Sequence, residues 1–307
     1  PDVAGIDGGF SQYLRLYWNH QELSTDEALI SWDDATIKDF HYQQWGSGDT
    51  FIAAMYYRLF YQISMTNEFL RQTTDALLNE RGVPTDIKAE VQFYRLEARF
   101  LRALSYWHAL DLFGSVPFVT EADPVGEAGF YPKQITKADL FAYIESELMA
   151  IEGGMKDPRS NEYGRADKAA AWMVLAKLYL NAEVYINEAK YTECLTYCNK
   201  IINSSYTLAP SFQQVFWANN DQVIETMQEI IFPIRYSGEH SQTWGGTTFI
   251  IHAGIGGDMV GSDYGVDDGW GGTRVTPEFY NKFDDVENDV RATFFTEGHS
   301  LSIENVG

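Results

Sequence analysis

The segment EARFLRALSYWHALDLFGSVPFV, residues 97–119, is apolar almost all the way round and then stops at a glycine. A helix lying on a surface carries one apolar stripe and one polar face, so a helix with this girth has to be covered on several sides. Phe100, Leu101, Leu104, Trp107 and Leu110 are accordingly read as core. Gly114 falls at the position after a helix end where a left-handed residue is favoured, and Pro117 lies just beyond it.

The covering neighbours are legible on either side. TFIAAMYYRLFYQISMTNEFLRQTTDALLNE has Asp49 or Thr50 available as N-cap and apolar residues at helical spacing through Leu59, Ile63, Phe69 and Leu70. The long helix follows it after Pro84 and Thr85, which makes two antiparallel helices joined by a short loop the simplest arrangement. A second pair runs from ITKADLFAYIESELMAIE to RADKAAAWMVLAKLYLNAEVY, and NEAKYTECLTYCNKIINSS supplies a further helix. Sliding the chain on itself by 73 residues places Ala98 on Ala171, Ala103 on Ala176 and Tyr106 on Tyr179. That shift is about two helix-pair units of ~34 residues plus a loop, the tetratricopeptide period. The expected fold is mostly α, a tetratricopeptide-like helix-pair scaffold stacked as a right-handed superhelix over residues 51–205.

Residues 206–307 read differently. They hold 13 of the 25 glycines, with short β-like runs such as EIIFPIRY and TTFIIHAG and no sustained helical period. Residues 1–50 are mixed, with a short helix around GGFSQYLRLYWNHQ and a loop STDEALISWDDATIKDFHYQQW. No low-complexity linker separates these parts, so one body over residues 1–307 is expected, the N-terminal segment and the irregular, Gly- and aromatic-rich half packed on the scaffold. The opening PDVAGIDGGF looks like a trimmed product, and the ending SLSIENVG like a truncation.

Charge narrows the function. With 44 acidic against 22 basic residues the chain carries a formal charge of -22, which disfavours nucleic acid and anionic lipid, since both are held by Lys and Arg. No run of about 18 to 20 apolar residues is present to span a bilayer. Nucleophile-elbow, zinc-protease and P-loop motifs are missing, and the GxG of AGIGGDMVG lacks a βαβ frame. The six histidines, His20, His41, His108, His240, His252 and His299, show no metal-ligand spacing, and His108 is read as a packed helix residue. Cys194 and Cys198 lie four apart on one side of a helix and are read as small semi-buried thiols, because adjacent turns rarely meet disulfide geometry. Asp263, Asp267 and Asp268 have the Gly-spaced look of a calcium loop yet miss the EF-hand register; a solvated loop is the reading, calcium the alternative, and no cofactor is expected.

The aromatics carry the positive signal. Trp32, Tyr42, Trp45, Tyr236, Trp244, Tyr264 and Trp270 sit outside the helical pattern, in polar or glycine-rich contexts. Flat rings in loops can stack on the C–H face of a pyranose while nearby amides and carboxylates bond its hydroxyls. As a set they favour a neutral, ring-shaped ligand such as a glycan. Arg235 and Arg274 are the residues that could turn that preference toward an acidic sugar.

The order of these features resembles the SusD/RagB family of glycan-binding outer-membrane lipoproteins: QELSTDEALISWDD, the Trp of HYQQWGSGDTF, YYRLFYQISMTNEFL, EARFLRALSYWHALDLFGSVPFV and GRADKAAAWMVLAKLYLNAEVY. The acidic-Ala-Arg-Phe-x-Arg-Ala-x-x-Tyr helix running into a Phe-Gly-x-Val-Pro turn is the most specific part. The resemblance implies a tetratricopeptide-like scaffold with a loop-rich glycan site and no catalysis. It further implies a place at the cell surface, delivering oligosaccharide to a TonB-dependent transporter of the SusC type, with membrane attachment only through a lipid anchor that this sequence does not contain. Family members are longer, and a C-terminal helical segment is expected to be missing here. By the family pattern Asn67 occupies the Asn of an aromatic-x-x-Ile-x-x-x-Asn helix, with Phe60 and Ile63 before it, and Trp45 the tryptophan after the Ser-Thr-Asp-Glu segment. The expected ligand-binding set is Trp45, Asn67, Trp244, Trp270, Tyr264 and Tyr42. Two other readings stay open: a tetratricopeptide scaffold gripping a peptide on its helical face, and a carbohydrate hydrolase using two loop carboxylates.

Overall fold

Capping side chains mark where several of the helices begin in the computed structural model, which describes residues 9–34 and 36–296. The expectations attached to the two chain ends, and His299, lie outside the described residues. Among those residues there are twelve α-helices and two three-residue strands, so the fold is mostly α as the periodicity predicts. The chain groups into two compact units, one running to Arg58 and resuming at Tyr236, the other spanning Leu59–Arg235.

The first unit opens with α1 (Tyr13–Glu22), capped by Gln12, whose Oε1 accepts from the backbone N–H groups of Leu14 at 2.7 Å and Arg15 at 3.3 Å. β1 (Ala28–Ile30) and α2 (Ile37–His41) follow inside the stretch expected to be loop. Asp49 is the N-cap of α3 (Thr50–Gln72): its buried carboxylate accepts from Phe51 at 2.8 Å and Ile52 at 3.0 Å, satisfying two of the orphan donors of a helix start.

The second unit takes over within α3 and continues through α4 (Asp75–Glu80), α5 (Thr85–Phe113), α6 (Lys137–Glu152), α7 (Lys168–Leu180), α8 (Ala182–Ile186), α9 (Tyr191–Ile202) and α10 (Ile224–Met227). Where the sequence reads one helical run up to Glu80, Thr74 adopts extended backbone and its hydroxyl caps Leu77, breaking the run and starting α4. α5 packs on α6, α6 on α7 and α7 on α9. The residues matched by the 73-residue shift, Ala98 with Ala171, Ala103 with Ala176 and Tyr106 with Tyr179, are all buried, the alanines giving room for close helix approach. Leu101 and Leu104 are only half-buried, because Arg102, Ser105 and His108 take the interior of that helix face instead. Gly114 ends α5 at φ 72°, and an added Cβ would run into the Lys137 side chain.

The first unit resumes with α11 (Thr247–Gly254), β2 (Thr273–Val275) and α12 (Pro277–Tyr280). Here the β-like runs mislead. EIIFPIRY is irregular, and TTFIIHAG is α11, since Phe249 and Ala253, four apart, are fully buried while Ile250 and Ile251 face outward. Packing along one face overrides the β preference of the threonines and isoleucines. The sheet forms where none is expected: β1 pairs antiparallel with β2, Ala28 opposite Val275, Leu29 opposite Arg274 and Ile30 opposite Thr273. Cys194 and Cys198 are free thiols. Among the described residues no three His, Cys, Asp or Glu side chains converge as a metal site, Asp263, Asp267 and Asp268 included.

Candidate functional site

The first unit contains an open cleft of about 1010 Å³ between Gly9 and Phe10 on one side and residues 236–248 on the other. Two glycines let this loop close. An added Cβ at Gly245 would land 2.0 Å from the Gly9 carbonyl oxygen, and one at Gly246 would land 2.3 Å from the Tyr236 ring. The Gly245 carbonyl accepts from Arg15 N–H at 3.2 Å, and Gln12, besides capping α1, donates its Nε2 to the Tyr236 hydroxyl at 2.8 Å. Burial pushes the Tyr236 phenol up, with the Gln12 bond partly opposing it, so the ring stays protonated across the working range.

The lining is hydroxyl and amide in character: Ser237, Ser241, Gln242, Thr243, Thr247 and Thr248 beside Phe10, Tyr236 and Trp244. Among the described residues no charged side chain lines it. Trp244 is 71% exposed, a free aromatic face at the cleft.

Behind Trp244 stands a wall of rings. Its indole meets Trp270 at 6.1 Å between centroids, and Trp270 meets Trp32 at 6.2 Å and His252 at 4.9 Å. The backbone of residues 270–272 is fastened on both edges. Its N–H groups donate to the end of α11 and the residue after it: Trp270 to His252 at 2.7 Å, Gly271 to Ile255 at 2.8 Å and Gly272 to Ala253 at 2.9 Å. His252 and Ala253 lie in the last turn of α11, whose carbonyls have no further helical turn to supply donors. Its own carbonyls accept from Trp32 Nε1 at 3.0 Å, from Ser31 Oγ at 2.9 Å and from Ser31 N–H at 2.8 Å. Gly272 lies flat on the Trp32 indole, where a Cβ would come within 2.3 Å. Arg15 reinforces the far side, its guanidinium 4.9 Å from the Phe249 ring and 5.8 Å from Trp32 while it pairs with Asp34 at 3.0 Å.

Of the expected set, the structure brings Trp244 and Trp270 together. Trp45, 45% exposed, stacks on Phe40 at 6.2 Å; Tyr42 packs edge-on against His41; Tyr264 ends a short 3₁₀ turn and is half exposed. None of these three lines the cleft. Arg274 donates Nη1 to the Thr273 carbonyl and Arg235 lies over Tyr163, so neither guanidinium lines it either. Gln12 and the Ser/Thr lining escaped sequence reading, although the WGGTT stretch, a tryptophan against two glycines, was the signal for a close backbone approach.

Asn67 belongs to the second unit's interior, 2% exposed. Its Nδ2 donates to the Val119 carbonyl at 3.2 Å and its Oδ1 accepts from Arg102 Nη1 at 2.7 Å. The structure thus gives it a structural bonding role. Arg102, equally buried, also pairs with Glu121 and with Glu147 at 3.0 Å, and Arg99 joins Glu147 at 2.8 Å. Burial alone would push the Glu147 carboxyl up; hydrogen bonds and charge from Arg99 and Arg102 more than offset this and hold it below the usual carboxylate range. Burial pushes the His108 imidazole down to about 4, Lys177 adding to the effect and Asp111 opposing it.

No family model matches the chain. The starch-binding protein SusD of Bacteroides thetaiotaomicron is 40% identical over 255 residues, a match covering 82% of this chain and 43% of the relative. Among solved structures, a SusD superfamily protein of Parabacteroides distasonis superposes with a TM-score of 0.69 at 20% identity, over 91% of this chain and 55% of that one. A surface glycan-binding protein of Bacteroides uniformis does so with a TM-score of 0.63 at 21% identity, over 93% and 59%. The chain therefore spans less than half the length of the SusD relative it matches.

Proposed function

Because the chain is SusD-like in sequence and fold, we propose that it binds a neutral oligosaccharide without turning it over. The observation that carries this reading is a cleft whose lining, among the described residues, is uncharged, with an exposed Trp244 face at its edge. A pyranose ring offers a C–H face to an indole and a rim of hydroxyls to Ser, Thr and Gln side chains, and it needs no compensating charge. Starch is the ligand in the name of the 40%-identical relative and is the first glycan to try.

Trp244 and Trp270 are the principal contacts in this reading, the first at the cleft and the second supporting it. Trp45, Tyr42 and Tyr264, exposed in the same unit, are secondary contacts for a longer chain. The protein acts at the cell surface and passes its ligand to a SusC-like TonB-dependent transporter. Anchoring there is through a lipid, and no described helix is long and apolar enough to cross a membrane.

Affinity electrophoresis and calorimetry against soluble starch, xyloglucan, laminarin and galactomannan test the reading, with each mixture checked for new reducing ends. Binding without new ends, weakened about tenfold in Trp244→Ala, is the expected result. New reducing ends would instead make the protein a hydrolase.

A further inference from the structure

The loop after α5 is pinned by more buried polar side chains than a turn requires. The Val119 carbonyl accepts from Asn67 Nδ2 at 3.2 Å and from the Tyr106 hydroxyl at 2.7 Å, and that hydroxyl also accepts from Val119 N–H at 2.9 Å. Arg71 Nε donates to the Glu121 carbonyl at 3.1 Å while Arg102 holds the Glu121 carboxylate. On the return leg Ile135 N–H donates to Val116 at 2.9 Å, Phe118 N–H to Lys133 at 3.0 Å, and Gln134 Nε2 to Ser115 at 3.0 Å. The helix motif that is most specific in this sequence thus spends Arg102 and Tyr106 on fixing this loop.

What the fixed loop encloses is a cleft of about 550 Å³ within the second unit, with Phe118, Phe130 and Tyr131 as its aromatic walls and Asp123, Lys133 and Asp139 among its polar ones. That volume falls within the range of about 300–1,000 Å³ usual for small-molecule sites. Phe118 is held edge-on by Tyr143 at 4.7 Å, whereas Tyr131 is 84% exposed. Asp123 uses Oδ2 to accept from Thr120 N–H at 2.7 Å, and Asp139 uses Oδ2 to accept from Thr136 Oγ1 at 2.7 Å. Lys133 makes no ion pair among the described residues, in a chain with twice as many acidic as basic side chains.

We propose that this cleft is a second carbohydrate-contact site, independent of the Trp244 cleft. It takes a neutral sugar unit across the Tyr131 ring, with Lys133 donating to its hydroxyls and the carboxylates of Asp123 and Asp139 accepting from them. Two carboxylates against one ammonium disfavour an acidic sugar. A donor and two acceptors around an exposed ring match the alternating donors and acceptors of a hydroxyl-rich ligand. The proposal rests on the reading of the chain as a glycan binder.

The test is affinity electrophoresis of the whole chain in soluble starch, xyloglucan, laminarin and galactomannan, using Trp244→Ala/Trp270→Ala, Tyr131→Ala and the triple variant. Tyr131 is so exposed that its removal leaves the unfolding midpoint unchanged, which circular dichroism checks. The double tryptophan variant is expected to retain weak retardation in the polymer that wild type binds, and adding Tyr131→Ala is expected to reduce it at least fivefold. Complete loss in the double variant overturns the second site while leaving the first reading standing. Undiminished binding in the double variant, lost on adding Tyr131→Ala, supports the second site and sinks the assignment of the tryptophans. Failure of wild type to bind any of the four polymers overturns both.

Discussion

Arg102 in the second unit and Trp270 in the first each sit at the centre of a constellation, and the two are held by opposite means. Around Arg102 the ordering force is charge: Glu147, Glu121 and Arg99 with the amide of Asn67, gathered on a buried guanidinium that cannot lose its partners cheaply. Around Trp270 it is backbone: three N–H groups to α11 and its exit, carbonyls bonded from residues 31 and 32, and glycines lying flat on rings and peptides. A charged interior fixes one geometry and tolerates little. A ring wall on a bonded backbone leaves the outermost ring, Trp244, free to change without unfolding anything.

The contrast can be broken most forcefully at Arg102. Arg102→Ala leaves Glu147 with Arg99 alone, strips Glu121 and the Asn67 amide of their buried partner and empties a buried site, and is expected to cost about 3–5 kcal/mol in denaturant unfolding; a loss under about 1 kcal/mol would show that water already serves these groups. Acid should come next in size. An unfolded His108 takes up its proton near pH 6.5, the folded one only near 4, so the unfolded chain binds more protons between those values and stability falls as pH drops through them. The loss reaches about 3 kcal/mol at most and should flatten in His108→Asn, monitored by urea titrations at stepped pH. Glu147 and Glu121, held below the usual carboxylate range, add their loss only at lower pH.

In the first unit the numbers shrink and the readout changes. Gly272→Ala drives a methyl into the Trp32 indole and should cost about 1–3 kcal/mol of stability together with glycan affinity, since it displaces the segment carrying Trp270. Trp244→Ala should leave stability within about 0.5 kcal/mol yet weaken binding about tenfold, or about 1.4 kcal/mol, by calorimetry. An unfolding midpoint that moved as far as the affinity would erase the distinction between the two regions. Smaller still, Trp45→Ala, Tyr42→Ala and Tyr264→Ala should each weaken binding of a long glycan about two- to fivefold and barely alter binding of a short one.

Much of the second unit was readable because its signals are local and periodic. The girth of the helix ending at Gly114 and the alanine and tyrosine correspondences each depend on neighbours within a few turns or on a repeat. The first unit was readable only as an inventory of loop aromatics. Which of them meet depends on β1 finding β2 across more than 240 residues of chain, on α11 forming from a run that looks like strand, and on the glycines of residues 269–272 closing over Trp32 and Ile255.

The sequence by itself determined a helical scaffold, a charge that turns away polyanions, and a supply of rings suited to a neutral glycan. Only the tertiary structure decided that Trp244 and Trp270 share a wall while Trp45 stands apart from the cleft, and that Asn67 binds Val119 and Arg102 inside the protein. Periodicity is written along the chain, where an alignment with itself can find it. The meeting of two loop residues is set by hydrogen bonds and close contacts between segments far apart in sequence, and no local pattern encodes that.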